Sequence, residues 1–181
     1  MDEEIKNCKR CELWKTRTNV VIGAGSLDTD ILFIGEAPGY NEDKKGKPFV
    51  GKAGKILDEL LESVDLARED VYITNILKCR PPKNRDPKPK EIKACTPYLN
   101  NQIEEINPEK ICTLGNFATK YILKSFDLTP ESIGKIHGKS FKVRNLLGDL
   151  TILPLYHPAA ATYNPNMMPT LLEDFKKVLG V

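Results

Sequence analysis

Residues 35–54 read GEAPGYNEDKKGKPFVGKAG and connect two stretches with different hydrophobic patterns. Before them, residues 30–34 form a short apolar run with the length and composition of a buried strand. After them, apolar residues recur at helical spacing between Ile56 and Val64. A connection of twenty residues with five glycines and two prolines is long for a compact domain, and such loops are usually either functional or disordered. We therefore expect it to form the floor of an active site.

The rest of the chain alternates between short apolar runs and helical patterns. Strands are predicted at residues 30–34, 71–74, 110–115 and 150–155, with a weaker edge strand at 139–145. Helices are predicted at residues 3–15, 89–106, 117–124 and 169–179, with Asn116 as the cap of the third. Strands separated by helices are typical of an α/β fold with a mostly parallel sheet, here of four strands. The length fits a single domain covering residues 1–181.

The composition is that of an ordinary globular protein, with 40% hydrophobic and 29% charged residues. The apolar runs are too short to span a bilayer, and the acidic start of the chain is unlike a secretion signal. We therefore expect a cytoplasmic monomer. Whether a protein partner such as a sliding clamp binds it cannot be read from the residues.

Basic residues are concentrated in one part of the chain, although the net charge is only +2. Residues 78–93 contain seven Lys and Arg residues against two acids. This segregation indicates a basic face for phosphates, whereas the alternative is an evenly solvated, lysine-rich surface. The candidate phosphate contacts are Lys78, Arg80, Lys83 and Arg85.

Polar residues follow several of the predicted strands at the point where each strand ends. Glu36, Asn75, Asn116 and His157 all occupy such positions. Because functional loops of parallel sheets gather at the carboxyl ends of the strands, we expect these residues to share one edge of the sheet.

Each candidate side chain also has a purely structural interpretation. Phe49 either packs in the core or stacks on a planar ligand. Asn75 either forms a turn or uses its amide, a donor beside an acceptor, to bind the edge of a pyrimidine. Glu36 either interacts with the following helical region or activates a water. Of the two histidines, His157 is preferred to His137 because its strand end adjoins the other candidates.

The cysteines favour metal or cluster binding over disulfides, because five is an odd number and no secretion signal is present. Two residues separate Cys8 from Cys11, and fifteen residues separate Cys79 from Cys95. Four thiolates suit zinc or an iron–sulfur cluster, although these spacings fit a ribbon-type zinc site poorly. Alternatively, Cys79 and Cys95 are isolated thiols. Cys112 lies inside an apolar strand and is expected to pack in the core.

Together these stretches resemble the family 4 uracil-DNA glycosylases, iron–sulfur enzymes of the uracil-DNA glycosylase superfamily. The matching stretches are GEAPG at 35–39, GKPFVGKAG at 46–54, TNILKCRPPKNRDP at 74–87 and HPAA at 157–160. The matches run from Cys8 to Pro165 in the order that the family has. One departure is Tyr163, which with Thr162 stands where many relatives have Leu-Arg.

The resemblance implies a monofunctional glycosylase of base-excision repair, which hydrolyses the N-glycosidic bond of uracil in double- or single-stranded DNA. It implies a three-layer α/β/α fold. It implies a [4Fe–4S] cluster held by Cys8, Cys11, Cys79 and Cys95. It also implies that uracil is bound by Gly35, Glu36, Ala37, Phe49, Asn75 and His157.

A recognition scheme follows from this resemblance. We expect Phe49 to stack on a flipped uracil, while the Asn75 amide donates to O4 and accepts from N3–H. Cytosine has a hydrogen-bond donor at position 4 and an acceptor at N3, the reverse of uracil, and would be rejected. The methyl group of thymine must meet a steric barrier, for which Glu42 and Tyr40 are the candidates.

The expected catalytic residues are Glu36 and His157. A His157 N–H aimed at uracil O2 would stabilise the charge that develops as the bond breaks. Other superfamily members use an aspartate of the first motif for the water, and Ala37 occupies that position here. Glu36 or backbone groups would therefore position the water.

Three other functions remain possible from the residues alone. A non-catalytic reader of deaminated DNA would need Phe49 and Asn75 but neither Glu36 nor His157. A cluster-bearing nucleic-acid module without a base pocket would leave residues 35–54 unexplained. A redox carrier would need a solvent-exposed cluster.

Overall fold

A computed structural model describes residues 2–145 and 148–180, and its centre is one six-stranded sheet. In chain order the strands are β1 (Ala24–Gly25), β2 (Ile31–Gly35), β3 (Tyr72–Asn75), β4 (Lys110–Leu114), β5 (Phe141–Asn145) and β6 (Gly148–Leu155). Their spatial order is β1-β3-β2-β4-β6-β5. The four central strands are parallel, as predicted. Two further strands, β1 and β5, pair antiparallel at the edges of the sheet. Strand β5 confirms the edge strand predicted at residues 139–145, whereas β1 was not predicted.

Eight α-helices surround the sheet within the described residues. They are α1 (Asp2–Lys6), α2 (Tyr40–Lys45), α3 (Lys52–Glu62), α4 (Pro89–Ile106), α5 (Asn116–Ser125), α6 (Ile133–Ile136), α7 (Ala159–Tyr163) and α8 (Met168–Leu179). Short 3₁₀ helices cover Glu12–Lys15, Arg68–Asp70, Pro82–Asn84 and Pro165–Met167. Among these residues no helix is long and apolar enough to span a membrane.

Helices lie on both faces of the sheet, which confirms the predicted three-layer arrangement. Alternate residues of a strand point to opposite faces. Leu32 and Ile34 of β2 share a buried cluster with residues of α4 and α5. Phe33 shares the other cluster with residues of α3 and α8, and its ring stacks on Phe175 at 5.8 Å between centroids. Because both faces are covered, β2 is apolar throughout rather than alternating.

The helix predicted over residues 3–15 is wrong in its extent. It ends at Lys6, and a separate 3₁₀ helix begins at Glu12. The intervening segment turns so that Cys8 and Cys11 line a cavity together with cysteines from distant parts of the chain. That contact is tertiary, and the local helical pattern does not encode it.

Two further local predictions need correction. The connection at residues 35–54 contains helix α2, which ends at Lys45 and is followed by Gly46 with a left-handed φ of +69°. Asn116 does not cap α5, because the flanking position is Gly115 and the Asn116 side chain instead accepts a hydrogen bond from the Ile133 N–H. Asn116 therefore joins two helices and is absent from the cleft described below.

Candidate active site

The carboxyl ends of β2, β3 and β6 open into one cleft of about 550 Å³. The described residues that line it are Glu36, Ala37, Pro38, Gly39, Glu42, Phe49, Ala53, Asn75, Pro81, Asn84, Arg85, Asp86, His157, Ala159, Ala160 and Tyr163. The structure therefore brings Glu36, Phe49, Asn75 and His157 together, although they come from distant segments. His137 lies elsewhere and pairs with Asp174, with 2.8 Å between Nδ1 and Oδ2.

Gly35 allows the aromatic and amide groups of the cleft to approach each other. A Cβ at this position would collide with the Asn75 Oδ1 and with the Phe49 ring. The Phe49 ring in turn lies beside His157, with ring centroids 5.6 Å apart and 27° between the planes. Phe49 is buried and has a left-handed φ of 50°. Gly35 thus contributes space rather than a functional group.

Asn75 presents its amide to the cleft from a fixed backbone. The residue is 2% exposed, and its backbone carbonyl accepts from the Lys78 ammonium at 2.8 Å. No other described residue hydrogen-bonds its side-chain amide. Both the donor and the acceptor of this amide are therefore available to a ligand.

His157 is held as a neutral hydrogen-bond donor. Its Nδ1 accepts a hydrogen bond from the Ala159 N–H at 3.1 Å. Burial lowers the pKa of the imidazole to about 4, and nearby Glu42 opposes this only in part. At neutral pH the proton therefore resides on Nε2, which is the nitrogen free to donate.

Glu36 has the properties of a general base. Burial, followed by the negative charge of Asp86, raises the pKa of its carboxyl to about 7. A carboxyl that titrates near neutrality can accept a proton more readily than an ordinary glutamate. Ala37 lies beside it in the cleft and brings no ionisable group.

The two candidates for thymine exclusion lie in different environments. Glu42 lines the cleft, and its carboxylate accepts from the backbone N–H groups of Val50 and Gly51 at 2.8 and 2.9 Å. Tyr40 is half exposed and does not line the cleft; the cationic groups of Lys44 and Arg80 lie against its ring. Glu42 remains the candidate that the geometry favours.

Cys8, Cys11, Cys79 and Cys95 line a second, separate cavity. Three of the sulfurs accept hydrogen bonds there. The Arg17 guanidinium donates to Cys79 at 3.1 Å, the Lys78 N–H to Cys95 at 3.2 Å and the Arg10 N–H to Cys8 at 3.5 Å. Burial raises the pKa of the Cys95 thiol to about 11, so a bound cation would be needed to hold it as thiolate. The donor set thus fits a group that takes four thiolates.

Four thiolates are a ligand set that both zinc and iron–sulfur clusters accept. Within residues 2–145 and 148–180 no three Cys, His, Asp or Glu side chains converge as they do around one ion. Cys112 is apart from this set, fully buried in β4, as predicted.

The structure contradicts the assignment of Lys78 as a phosphate contact. Lys78 is 1% exposed, and its ammonium donates to Thr74 Oγ1 and to Gln102 Oε1, both at 2.6 Å. It therefore faces the interior, where burial lowers its pKa to about 7.

The other three basic candidates do face the surface. Arg85 lines the cleft and forms an ion pair with Glu91 at 2.6 Å. The Arg80 guanidinium is held by Asn84, and Lys83 is exposed. Arg80 and Lys83 are chain neighbours of the lining residues Pro81 and Asn84.

Several residues of the site carry no sequence signal of their own. Asp86 and Asn84 line the cleft within a stretch that had been interpreted mainly through its basic residues. Tyr163 lines the cleft and is 89% exposed, at the position where the sequence departs from the family pattern. Arg68 contacts the backbone of residues 48–54, and no motif includes it.

Comparisons with known proteins agree with this geometry. Residues 22–179 match the family model described as the uracil DNA glycosylase superfamily. The chain is 54% identical over 178 residues to a type-4 uracil-DNA glycosylase of Saccharolobus solfataricus, covering 97% of this chain and 82% of the relative. It is 49% identical to the type-4 enzyme of Archaeoglobus fulgidus, covering 97% and 88%, and 45% identical to that of Thermotoga maritima, covering 98% and 90%.

Proposed function

This chain belongs to the uracil-DNA glycosylase superfamily as a type-4 enzyme that excises uracil from DNA in base-excision repair, and from that premise we propose how its residues do so. Residues 1–181 act as one catalytic domain. The observation that carries the proposal is the free amide of Asn75 beside the buried ring of Phe49, at the bottom of a cleft that also contains His157 and Glu36.

Uracil is selected by hydrogen bonding to Asn75. Its amide NH₂ donates to O4 and its Oδ1 accepts from N3–H, while Phe49 stacks on the ring. Gly35, Glu36 and Ala37 form the adjoining wall, with Gly35 leaving room for the other groups. Cytosine would leave the buried amide of Asn75 unpaired on both atoms, which accounts for its rejection.

Thymine is excluded by bulk rather than by hydrogen bonding, because it differs from uracil only in a methyl group. Glu42 is the proposed barrier, since its carboxylate is anchored by two backbone N–H groups and lines the cleft. A side chain anchored in this way cannot easily move aside for the methyl group.

His157 and Glu36 carry out the chemistry on the flipped nucleotide. The Nε2–H of His157 donates to uracil O2 and stabilises the negative charge that accumulates there as the N-glycosidic bond lengthens. Glu36 takes a proton from the water that attacks C1′ of the sugar. The raised pKa of Glu36 and the lowered pKa of His157 support these two roles.

The enzyme is a glycosylase without lyase activity. Lyase chemistry proceeds through a Schiff base and needs an amine near the sugar. No lysine is found among the described residues that line the cleft. The product is therefore an intact abasic site and free uracil.

Cys8, Cys11, Cys79 and Cys95 hold a [4Fe–4S] cluster. When bound, the cluster supplies a structural cross-link, joining the N-terminal segment to the loop and helix that follow β3. Their common cavity and the N–H groups directed at three of the sulfurs support this assignment.

The substrate backbone is held by the basic residues beside the cleft, namely Arg80, Lys83 and Arg85. Neutralising phosphates releases counterions, so DNA affinity should fall steeply as salt rises. We propose that the protein works as a monomer in the cytoplasm; a sliding clamp is a further candidate partner.

The test is strand cleavage, after alkali, of labelled DNA that carries one uracil, with matched thymine and cytosine substrates. Cleavage confined to uracil and dependent on alkali is expected. Cleavage before alkali would contradict the monofunctional assignment. Uracil-dependent binding without cleavage would favour a non-catalytic reader.

A further inference from the structure

Arg68 connects three elements that build the cleft, although it lies outside it. It begins the 3₁₀ helix Arg68–Asp70, immediately before β3, the strand that carries Asn75. Its guanidinium donates to the backbone carbonyls of Pro48 at 3.2 Å, Phe49 at 2.5 Å and Gly54 at 3.3 Å. Its Nε donates to Asp58 of α3 at 2.5 Å.

The backbone at Phe49 needs such support. Its left-handed φ of 50° is disfavoured in residues that have a Cβ, and it persists only where the surroundings hold it. The chain folds back so closely that a Cβ at Gly54 would collide with the Phe49 carbonyl. The carbonyls of Phe49 and Gly54 therefore lie close enough together for both to accept from the Arg68 guanidinium, which also donates to Pro48.

The opposite side of this turn is held by Glu42, which accepts from the N–H groups of the next two residues, Val50 and Gly51. The backbone at Phe49 is thus fixed from two sides. The Arg68 guanidinium donates a hydrogen bond to its carbonyl, and the Glu42 carboxylate accepts hydrogen bonds from the two amides that follow it. Because the ring projects from this backbone, its angle in the cleft depends on both contacts.

We propose that Arg68 is a positioning residue for uracil excision, which holds the strained backbone at Phe49 so that the ring stacks on the flipped base. The inference rests on the proposed stacking role of Phe49. The planar guanidinium of Arg68 reaches three carbonyls and one carboxylate at once, which a lysine ammonium cannot do from one position. Arg68 therefore acts on the reaction through Phe49 and does not touch the substrate.

The test compares Arg68→Met and Arg68→Lys with the wild type. Single-turnover excision of uracil, inhibition by free uracil and the thermal midpoint are measured for each. Misplacing a stacking group by about 1 Å can cost on the order of 100-fold in rate, so Arg68→Met should lose up to this factor. Inhibition by free uracil should weaken in parallel, and Arg68→Lys should recover only part of both losses. Arg144→Met is the control, because Arg144 is exposed and its guanidinium pairs with the exposed Asp149.

A double-mutant cycle with Phe49→Ala separates positioning from general stability. If Arg68 acts through the ring, Arg68→Met should have little further effect on rate or uracil inhibition once the ring is gone. An equal further loss in the Phe49→Ala background would overturn the proposal, as would wild-type rate and inhibition in Arg68→Met.

Asp58→Asn provides a second variant if Arg68→Met fails to fold. It leaves the guanidinium in place but removes the carboxylate that orients it, and a smaller loss of uracil inhibition is expected. Unchanged inhibition in Asp58→Asn and Arg68→Lys would refute the role of Arg68. Full activity in Phe49→Ala would instead refute the proposed stacking role of Phe49. A wild-type protein without uracil excision would refute the proposed function.

Discussion

The rate of uracil excision should depend on the ionisation of Glu36, and this can be tested by pH and by Glu36→Gln. Burial and the charge of Asp86 raise the pKa of this carboxyl to about 7. Only the ionised form can accept the proton of the attacking water. His157 has a pKa of about 4 and stays largely neutral above pH 5, so it does not contribute to the same limb of the profile.

The size of the pH effect on the excision rate follows from the pKa of Glu36. A carboxyl with a pKa of about 7 is roughly 1% ionised at pH 5, so the single-turnover rate there should be about 100-fold below its plateau above pH 8. Replacing Glu36 by glutamine should remove this dependence. It should also lower the plateau by about 10²- to 10⁴-fold, the usual contribution of a general base.

The assay is single-turnover release of uracil between pH 5 and 8.5 at constant ionic strength, because DNA binding itself depends on salt. Glu131→Gln, an exposed site outside the cleft lining, is the matched control and should keep the wild-type profile. A flat wild-type profile, or an inflection near pH 7 that persists in Glu36→Gln, would refute the assignment of Glu36 as the base.

The same variant has a consequence for stability. The pKa of Glu36 is higher in the folded chain than in the unfolded chain, so its contribution to stability is lost as pH rises towards 7 and above. Glu36→Gln should therefore be more stable than the wild type at pH 8, by on the order of 1 kcal/mol after allowance for solvent, and equal to it near pH 4. Urea unfolding at the two pH values measures the difference.

Asn75→Asp should lose uracil excision, because the new carboxylate would repel the O4 oxygen of uracil. Any activity gained on cytosine would be measured with the matched cytosine substrate. His157→Ala should lower the excision rate by about 10²- to 10³-fold while leaving the affinity for uracil DNA nearly unchanged; full activity would rule out the leaving-group role. Arg80→Ala and Lys83→Ala should each reduce the slope of log affinity against log salt by about 1, and an unchanged slope would remove that residue from the phosphate contacts. Cys79→Ser should lower the iron and sulfide content of the purified protein together with its thermal midpoint, whereas full iron content would contradict the cluster assignment.

The amino-acid sequence was enough to locate the four parallel strands, the longer helices and the polar residues at the strand ends. Periodicity identified the four parallel strands because a strand covered on both faces must be apolar throughout. Glu36, Asn75 and His157 were located because parallel strands end at one edge of the sheet. Each of these inferences depends only on near neighbours in the chain and on general rules of topology.

Only the tertiary structure decided which polar groups face the cleft, the surface or the interior. Lys78 belongs to a basic stretch, yet its ammonium lies inside the protein and donates to the side chain of Gln102, 24 residues away. Arg68 carries no motif, yet its guanidinium holds the backbone of Phe49, 19 residues earlier. The helix predicted through Cys8 and Cys11 is interrupted, and both residues line one cavity with Cys79 and Cys95. Burial and long-range hydrogen bonds arise when distant segments pack together, and for that reason no local pattern encodes them.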